Sequence, residues 1–396
     1  MSSASALLLL PPPPSTTFRE FKNTYEQILS TVYTEISQSL NDTTRPVILD
    51  IALFLPGLLS PECQPRARVF KSLQSFLANI YRLLGIVSVK TGVELDTPGG
   101  IDARVLLLDF GSAQEISKNT LQTGPVLDLQ TLATSNRSWD RIFYPDNKVG
   151  QQLAAAFSSL HTQFKGPNAA NICSIPKVSD WLSSTSLVKS EETSDNTLHR
   201  SVCVGGTFDH FHIGHKLLLT ATALALDPFH GEHKNEALLT VGVTGDELLV
   251  NKKYAEVLES WDERCEATGS FLSAIMVFCS SEDAAYAERV SQPGPNGKYV
   301  LMKVQPGLTL KIVQISDPFG PTITDEDVSA LVVSQETRTG GAAVNNERAK
   351  KGWKTLDIFE IDVLHSREVP SNDVENFASK ISSTDIRRHR MEQAKK

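Results

Sequence analysis

The stretch Val204-Gly205-Gly206-Thr207-Phe208-Asp209-His210-Phe211-His212-Ile213-Gly214-His215 decides the fold of the second half of the chain. Apolar residues precede it and Lys216-Leu217-Leu218-Leu219-Thr220-Ala221 follow it, so it reads as strand, glycine turn and helix. Two of its histidines, His212 and His215, three apart, fall where the helix begins. A helix N-terminus offers unpaired backbone N–H groups and the positive end of the dipole, and therefore holds phosphate. Two imidazoles at that point suit a polyphosphate whose charge grows in a transition state. Thr207 is placed to donate its hydroxyl to a phosphate. Gly214 removes a side chain where a phosphate or base comes close. Asp209 is expected to brace the turn rather than bind metal, because its carboxylate would repel a polyphosphate. An isolated H-x-x-H on a helix is more often a surface pair or half a metal site. The Gly-Gly-Thr-Phe-Asp run before it shifts the reading to chemistry on a nucleoside triphosphate.

Outward from that run, the second half alternates strands and helices. Strands are expected at Ser201 to Gly205, Ala237 to Val243, Lys311 to Ser316, Ala330 to Val333 and Leu356 to Val363. Helices are expected at Gly214 to Leu226, within Ser260 to Phe278, at Gly341 to Lys351 and at Ser383 to Ala394, with Ser260 and Glu263 spaced as a capping box. This order predicts a doubly wound, Rossmann-like parallel sheet whose ligand sits at the carboxyl ends of its strands. The first half has core elements of its own: helices at Thr17 to Leu40 (Thr17 and Glu20 as a capping box), Val69 to Leu84 and Gln151 to Phe164, and strands at Pro46 to Phe54 and Arg104 to Phe110. The expected organisation is disorder over 1–14, an N-terminal mixed α/β domain over 15–180, a polar linker over 181–199 and the second domain over 200–396.

Composition bounds the rest. The 396 residues are 40% hydrophobic and 21% charged, which is ordinary for a soluble globular chain, and the formal charge of −8 argues against nucleic acid as the main partner. Cys63, Cys173, Cys203, Cys265 and Cys279 are scattered with no C-x-x-C pair, which points to reduced thiols rather than a disulfide frame or zinc site. No uninterrupted apolar run of about 18 residues is present, and the apolar start, Ala4 to Leu10, lacks a basic flank. A cytoplasmic protein with no membrane segment is expected.

Four further blocks fall near the expected site. Asn251-Lys252-Lys253-Tyr254 follows the second strand at the same sheet edge; Lys252 is the expected phosphate-binding lysine. Ser334 to Gly341 leaves a strand, and Asn345 and Arg348 then lie three apart on one helical face. Arg338 and Arg348 are candidate phosphate ligands, although a capped helix with exposed charges fits the same pattern. Ile381-Ser382-Ser383-Thr384-Asp385-Ile386-Arg387 sets three hydroxyls at a helix start, either as a cap or as a second anion cradle to which Arg387 adds charge. Asp317-Pro318-Phe319-Gly320-Pro321 reads as a turn that sets Phe319 against a substrate pocket.

In this order the blocks GGTFDHFHIGH (205–215), DPFGP (317–321), SQETRTGGAAVNNER (334–348) and ISSTDIR (381–387) resemble the nucleotidyltransferase superfamily with (T/H)xGH and ISST motifs, and within it the eukaryotic and archaeal pantetheine-phosphate adenylyltransferases. The resemblance covers roughly the second half of the chain; the first and last blocks are shared across the superfamily and the middle two select the family. It implies transfer of AMP from ATP to 4′-phosphopantetheine with Mg²⁺ as cofactor, giving 3′-dephospho-coenzyme A and pyrophosphate. It also implies direct attack of the acceptor phosphate, so the protein positions groups and stabilises charge. It places Gly206, Thr207, Phe208, His215, Ser382, Ser383, Thr384 and Arg387 around ATP. His215 would stabilise the transition state with help from His212, and Lys252 would hold the transferring phosphates. Thr207, Lys252, Phe319, Arg338, Asn345 and Arg348 are the expected acceptor-side residues. The bacterial branch carries an arginine-rich loop where this chain has Ser334 to Thr337.

No G-x-x-x-x-G-K-[ST] is present, so the kinase fused to this domain in animals is expected in another protein, and the first half resembles the extension of fungal members. Among relatives with this fold, aminoacyl-tRNA synthetases need a KMSKS-like loop that is absent here. Cytidylyltransferases carry an arginine and glycine before their last motif, where this chain has Phe377-Ala378-Ser379-Lys380. Nicotinamide-mononucleotide adenylyltransferases lack the two middle blocks. A scaffold for coenzyme A-synthesising enzymes, with the first half as the docking part, is the alternative of a different class.

Overall fold

The computed structural model describes residues 4–39, 44–110, 123–166, 171–176, 178–183, 187–191, 197–228, 236–278, 286–294, 297–364, 377–378 and 380–394. Cys279 and parts of the linker lie outside them. Two sheets organise the chain, each with helices packed against it. The first contains β1 (Ser5–Leu10), β2 (Val47–Phe54), β3 (Ile101–Asp109), β4 (Val126–Asp128), β5 (Arg141–Pro145) and β6 (Asn171–Ile175) in the order β4-β3-β2-β1-β5-β6, every pair parallel. Its helices are α1 (Phe18–Gln38), α2 (Phe70–Thr91), α3 (Leu129–Thr134) and α4 (Lys148–Lys165).

The disorder expected over 1–14 is corrected here for the described residues 4–14. Leu7, Leu8, Leu9 and Leu10 are fully buried in β1, which lies between β2 and β5 at the centre of the sheet. A short strand covered on both faces has no alternation to reveal it, and the proline run obscures it further. Pro11–Pro14 occupy the turn where a dinucleotide-binding sheet carries glycines. The chain itself fills this crevice: Tyr25 donates its hydroxyl to the Pro11 carbonyl, and Trp181 Nε1 and Ser183 Oγ donate to that of Pro12. The Thr17–Glu20 capping box is also corrected, since Thr17 is the N-cap of α1 but its side chain makes no capping bond. Described parts of the expected linker lie on the first domain, with Leu187 buried and the Glu191 N–H bonded to the Arg68 carbonyl.

The second sheet contains β7 (Ser201–Gly206), β8 (Ala237–Thr244), β9 (Tyr286–Gly294), β10 (Gly297–Gln305), β11 (Leu308–Ile315), β12 (Ala330–Ser334) and β13 (Asp357–Ile361), ordered β13-β12-β7-β8-β11-β10-β9. The five strands from β13 to β11 are parallel, while β10 and β9 add an antiparallel edge that the sequence reading did not predict. Helices α5 (Ile213–Ala225), α6 (Trp261–Met276), α7 (Arg338–Lys350) and α8 (Ser383–Ala394) belong to this unit. The strand order reverses direction between β7 and β12, which places the crevice at their carboxyl ends. The capping box at the start of α6 is formed as read.

The two sheets share one continuous core. Helix α2 is the seam: it packs on α1 on one side and on α5 on the other, and Tyr81 and Thr220 join their hydroxyls across it at 3.3 Å. Among the described residues α2 alone is long and apolar enough to cross a membrane, and most of it is buried in this seam.

Arg348 and Asn345 belong to the framework, and their expected substrate contacts are corrected. The Arg348 guanidinium is buried and donates to the carbonyls of Lys354, Thr322, Asp325, Glu326 and Val328, between 2.7 and 3.2 Å. Asn345 donates to the Leu356 carbonyl and accepts from its N–H, tying α7 to the start of β13. Both side chains point into the protein because a buried peptide group without a partner is costlier than a charge whose fork geometry matches several carbonyls.

Two consequences are measurable. Arg348→Met should lower stability by at least about 3 kcal/mol in chemical denaturation, since it leaves buried carbonyls without donors. Leu8→Ala should cost about 3 kcal/mol in the same measurement, whereas a disordered N-terminus would leave stability unchanged.

Candidate active site

The site grows from the turn between β7 and α5. Phe208 (φ 54°) and His210 (φ 48°) both have left-handed backbone, unusual for residues with side chains, so the turn is strained and needs external support. Asp209, fully buried between them, supplies it. One of its oxygens accepts the Glu259 N–H at 2.9 Å and the other accepts Arg387 Nη1 at 2.5 Å. The bracing role expected for Asp209 is what the geometry displays. His210 adds its own N–H to Glu259 Oε2 at 2.8 Å and its Nε2 to the Val257 carbonyl at 2.8 Å.

His212 is the N-cap of α5. Its Nδ1 accepts the Gly214 N–H at 3.1 Å, which leaves the proton on Nε2, and Nε2 faces Ser383 Oγ at 3.2 Å. The first and last sequence blocks therefore touch. A Cβ at Gly214 would lie 2.9 Å from the His212 ring, so this glycine makes room for the capping imidazole rather than for a phosphate, as first read. His215 stacks on His212 with ring centroids 3.8 Å apart, and Phe208 and Phe211 pack beside it. Burial pushes the His215 imidazole down to about 3. Burial, with His215 and His210 as neighbours, holds His212 well below its usual range. Both rings are neutral near pH 7. His215 Nδ1 is buried without a hydrogen-bond partner among the described residues, which favours the tautomer protonated on Nε2.

A cleft of about 320 Å³ opens at the carboxyl ends of β7, β8 and β12. Gly205, Gly206, Thr207, Phe319, Thr337 and Gly341 are among its lining residues, so the GGT run and the DPFGP and SQET blocks meet there. Phe319 lines this cleft, held by Asp317 Oδ1, which accepts the N–H groups of Phe319 and Gly320. Lys252 and Lys253 are exposed beside this edge. Ser382 and Ser383 are partly buried and Thr384 is exposed, at and before the first turn of α8.

Three expected ligands are employed otherwise. Phe208 is fully buried and its ring packs beside Gly206 and His215, so it supports the site from beneath instead of touching a nucleotide. Arg387 is buried; besides Asp209 it donates to the Lys253 carbonyl at 3.0 Å and to Thr384 Oγ1 at 3.2 Å, so it positions the turn, the lysine loop and α8 in place of a phosphate. Arg338 is exposed and paired with Glu360 through both carboxylate oxygens. The sequence reading missed Arg264. It is fully buried in α6 and donates to the carbonyls of Thr207 and Thr244, each at 2.8 Å, and to Asp246 at 2.6 Å. It pins the GGT turn to the end of β8. The available signal was an arginine directly after the capping-box Glu263, three residues after Trp261 and four before Thr268 on the buried face of α6.

Asp209, His210 and Glu259 bring ligand atoms within 4.8 Å of one another. This cluster does not fit Mg²⁺, which prefers an octahedron of oxygens, because one member is an imidazole and both Asp209 oxygens are already engaged.

Comparison with known proteins agrees with this geometry. Residues 203–389 match the family model described as cytidylyltransferase-like, and residues 1–179 match a domain of unknown function (DUF8446). The chain is similar to the uncharacterized protein C1F12.08 of Schizosaccharomyces pombe, at 32% identity over 83% of each chain. It is also similar to a phosphopantetheine adenylyltransferase of Saccharomyces cerevisiae, at 31% identity over 50% of this chain and 51% of the relative. One of Methanothermobacter thermautotrophicus matches at 30% over 47% and 82%. The yeast relative is thus matched over about half its length. The chain belongs to the cytidylyltransferase-like nucleotidyltransferases with an N-terminal DUF8446 extension, and is homologous to the yeast and archaeal phosphopantetheine adenylyltransferases.

Proposed function

We propose that this nucleotidyltransferase is a pantetheine-phosphate adenylyltransferase. A phosphate oxygen of 4′-phosphopantetheine attacks the α-phosphorus of ATP, the bond to the β-phosphate bridging oxygen breaks, and 3′-dephospho-coenzyme A and pyrophosphate result. The observation that carries the reading is the stacked, neutral His212–His215 pair at the mouth of α5, joined to Ser383 of the last block. Neutral imidazoles donate hydrogen bonds to phosphate oxygens without needing a protonation event, and the helix dipole adds positive potential at the same point.

On this reading His212 is held as cap and bridge, so His215 is the donor to the α-phosphate. Thr207 offers its hydroxyl from the cleft wall, and Lys252 reaches from the exposed loop toward the transferring phosphates. Phe319 and the apolar wall around it receive the uncharged arm of the acceptor. Mg²⁺ arrives with the triphosphate, whose oxygens suit it better than the Asp209 cluster does. Cytoplasmic location follows the thiol content. The relatives named phosphopantetheine adenylyltransferases support the choice of acceptor.

The test is pyrophosphate release from ATP with 4′-phosphopantetheine, beside nicotinamide mononucleotide, and from CTP with phosphocholine. Release with 4′-phosphopantetheine alone is expected; release only with another acceptor, or with none, overturns the assignment. His215→Ala should lower kcat by roughly 10²- to 10³-fold with little change in the KM for ATP, as for loss of one transition-state donor. Wild-type kcat in this variant would remove His215 from the chemistry.

The depressed histidines also set an acid limit. In the unfolded chain they take up protons near 6.5, and in the folded chain His215 does so only near 3. The stability linked to the neutral rings is therefore present above about pH 6.5 and is lost as the pH falls toward 3. Over that window His215→Gln should flatten the stability–pH slope by about 1 kcal/mol per pH unit, as measured by denaturation at several pH values.

A further inference from the structure

The segment Glu94–Arg104 of the first domain contacts the second domain at two points, each one residue away from an active-site block. Lys216, the residue after His215, is buried, and its ammonium donates to Asp96 Oδ1 at 2.5 Å, Asp102 Oδ1 at 2.6 Å and the Ala103 carbonyl at 3.0 Å. All three of its protons go to the first domain. Lys380, the residue before Ile381-Ser382-Ser383, is largely buried and pairs with Glu94. The segment is built to hold these carboxylates still. Asp96 has left-handed backbone (φ 61°), its N–H bonds to the Ile101 carbonyl at 3.0 Å, and the Ile101 N–H returns to the Glu94 carbonyl at 2.9 Å. Arg104 braces Asp102 from its other oxygen at 2.7 Å. Burial opposes charge here and pushes Asp96 up to about 6, whereas Lys216 and Arg104 hold Asp102 down to about 2, so both carboxylates are ionised at pH 7.

Steric fit reinforces the charges. Phe377, just before Lys380, is fully buried against α2 beside Ile86, and a Cβ at Gly85 would lie 2.7 Å from its ring and 3.1 Å from Ile213. Gly85 thus lets α2 touch the start of α5 and the approach to α8 at once.

We propose that Asp96, Asp102 and Glu94 are positioning residues for nucleotidyl transfer: through Lys216 and Lys380 the first domain fixes α5 and the Ile381–Ser383 turn relative to one another, and so sets the His212–Ser383 contact. The inference rests on the function proposed above. It makes the N-terminal domain a structural part of the active site rather than a docking appendage.

The experiment uses the full chain. Asp96→Asn with Asp102→Asn should lower kcat for the ATP reaction by roughly 10- to 100-fold, as for a misplaced catalytic group, while the chain still folds. Glu94→Gln, at a more exposed carboxylate, should raise the KM for ATP about threefold or more, and the swap Glu94→Lys with Lys380→Glu should recover most of the loss seen in either single change. Amide hydrogen exchange, which needs no turnover, should quicken at residues 213–220 in the double variant and at 382–388 in Glu94→Gln. Unchanged kcat, KM and exchange, or a fall in Tm alone with wild-type kcat and KM, overturns the proposal. If the wild type transfers no nucleotide to any acceptor, the function proposed above fails, while the exchange arm still decides whether the segment holds the two blocks.

Discussion

Asp209 is the constraint on which the site depends. A carboxylate with no solvent contact survives only if its oxygens are fully engaged, and here the two are shared between the Glu259 N–H and the Arg387 guanidinium. That one side chain fixes the strained turn carrying Phe208 and His210, the approach to α6, and α8 at the other end of the sequence. Arg387 extends the arrangement to the Lys253 carbonyl and to Thr384. The spacing of the neutral histidines above the turn follows from this anchoring, since α5 starts where the turn releases it.

Arginine explains most of the differences between expectation and structure. Arg264, Arg348 and Arg387 are all buried, and each binds backbone carbonyls with a rigid, always-charged fork. In a sequence that binds polyphosphate, an arginine beside a motif reads naturally as a phosphate ligand. The same chemistry satisfies a carbonyl cluster where loops converge, and only the fold says which oxygens are in reach. Arg338 has a third fate, paired with Glu360 on the surface. What remains around the cleft and the start of α5 is mostly uncharged: glycine backbone, Thr207, the Phe319 wall and two neutral imidazoles.

The two sheets are unequal in role although similar in build. Each is a parallel arrangement that reverses direction beside its first strand, and each therefore has a crevice at that point. In the first sheet prolines, Tyr25 and Trp181 fill it. In the second it stays open as the cleft around Thr207. Helix α2 joins them, and its small residue at Gly85 lets three elements meet where a larger one would hold them apart.

Much of the second domain was legible in the sequence. Alternating apolar runs and caps located β7, β8, β11, β12, β13 and helices α5 to α8, because periodicity and capping are local properties. The motif run announced both the strand–turn–helix at the start of α5 and the histidine pair. The first domain was less legible: β1 is too short and too evenly buried to show a period, and β4 to β6 are short strands whose pairing is non-local. The sequence by itself determined which residues could carry phosphate chemistry and that they would gather at one sheet edge. Tertiary structure alone decided which of them remain available, because burial and competing carbonyls assign each charged side chain its partner, and such a partner can lie far off in sequence, as Lys216 and Asp102, 114 residues apart, illustrate.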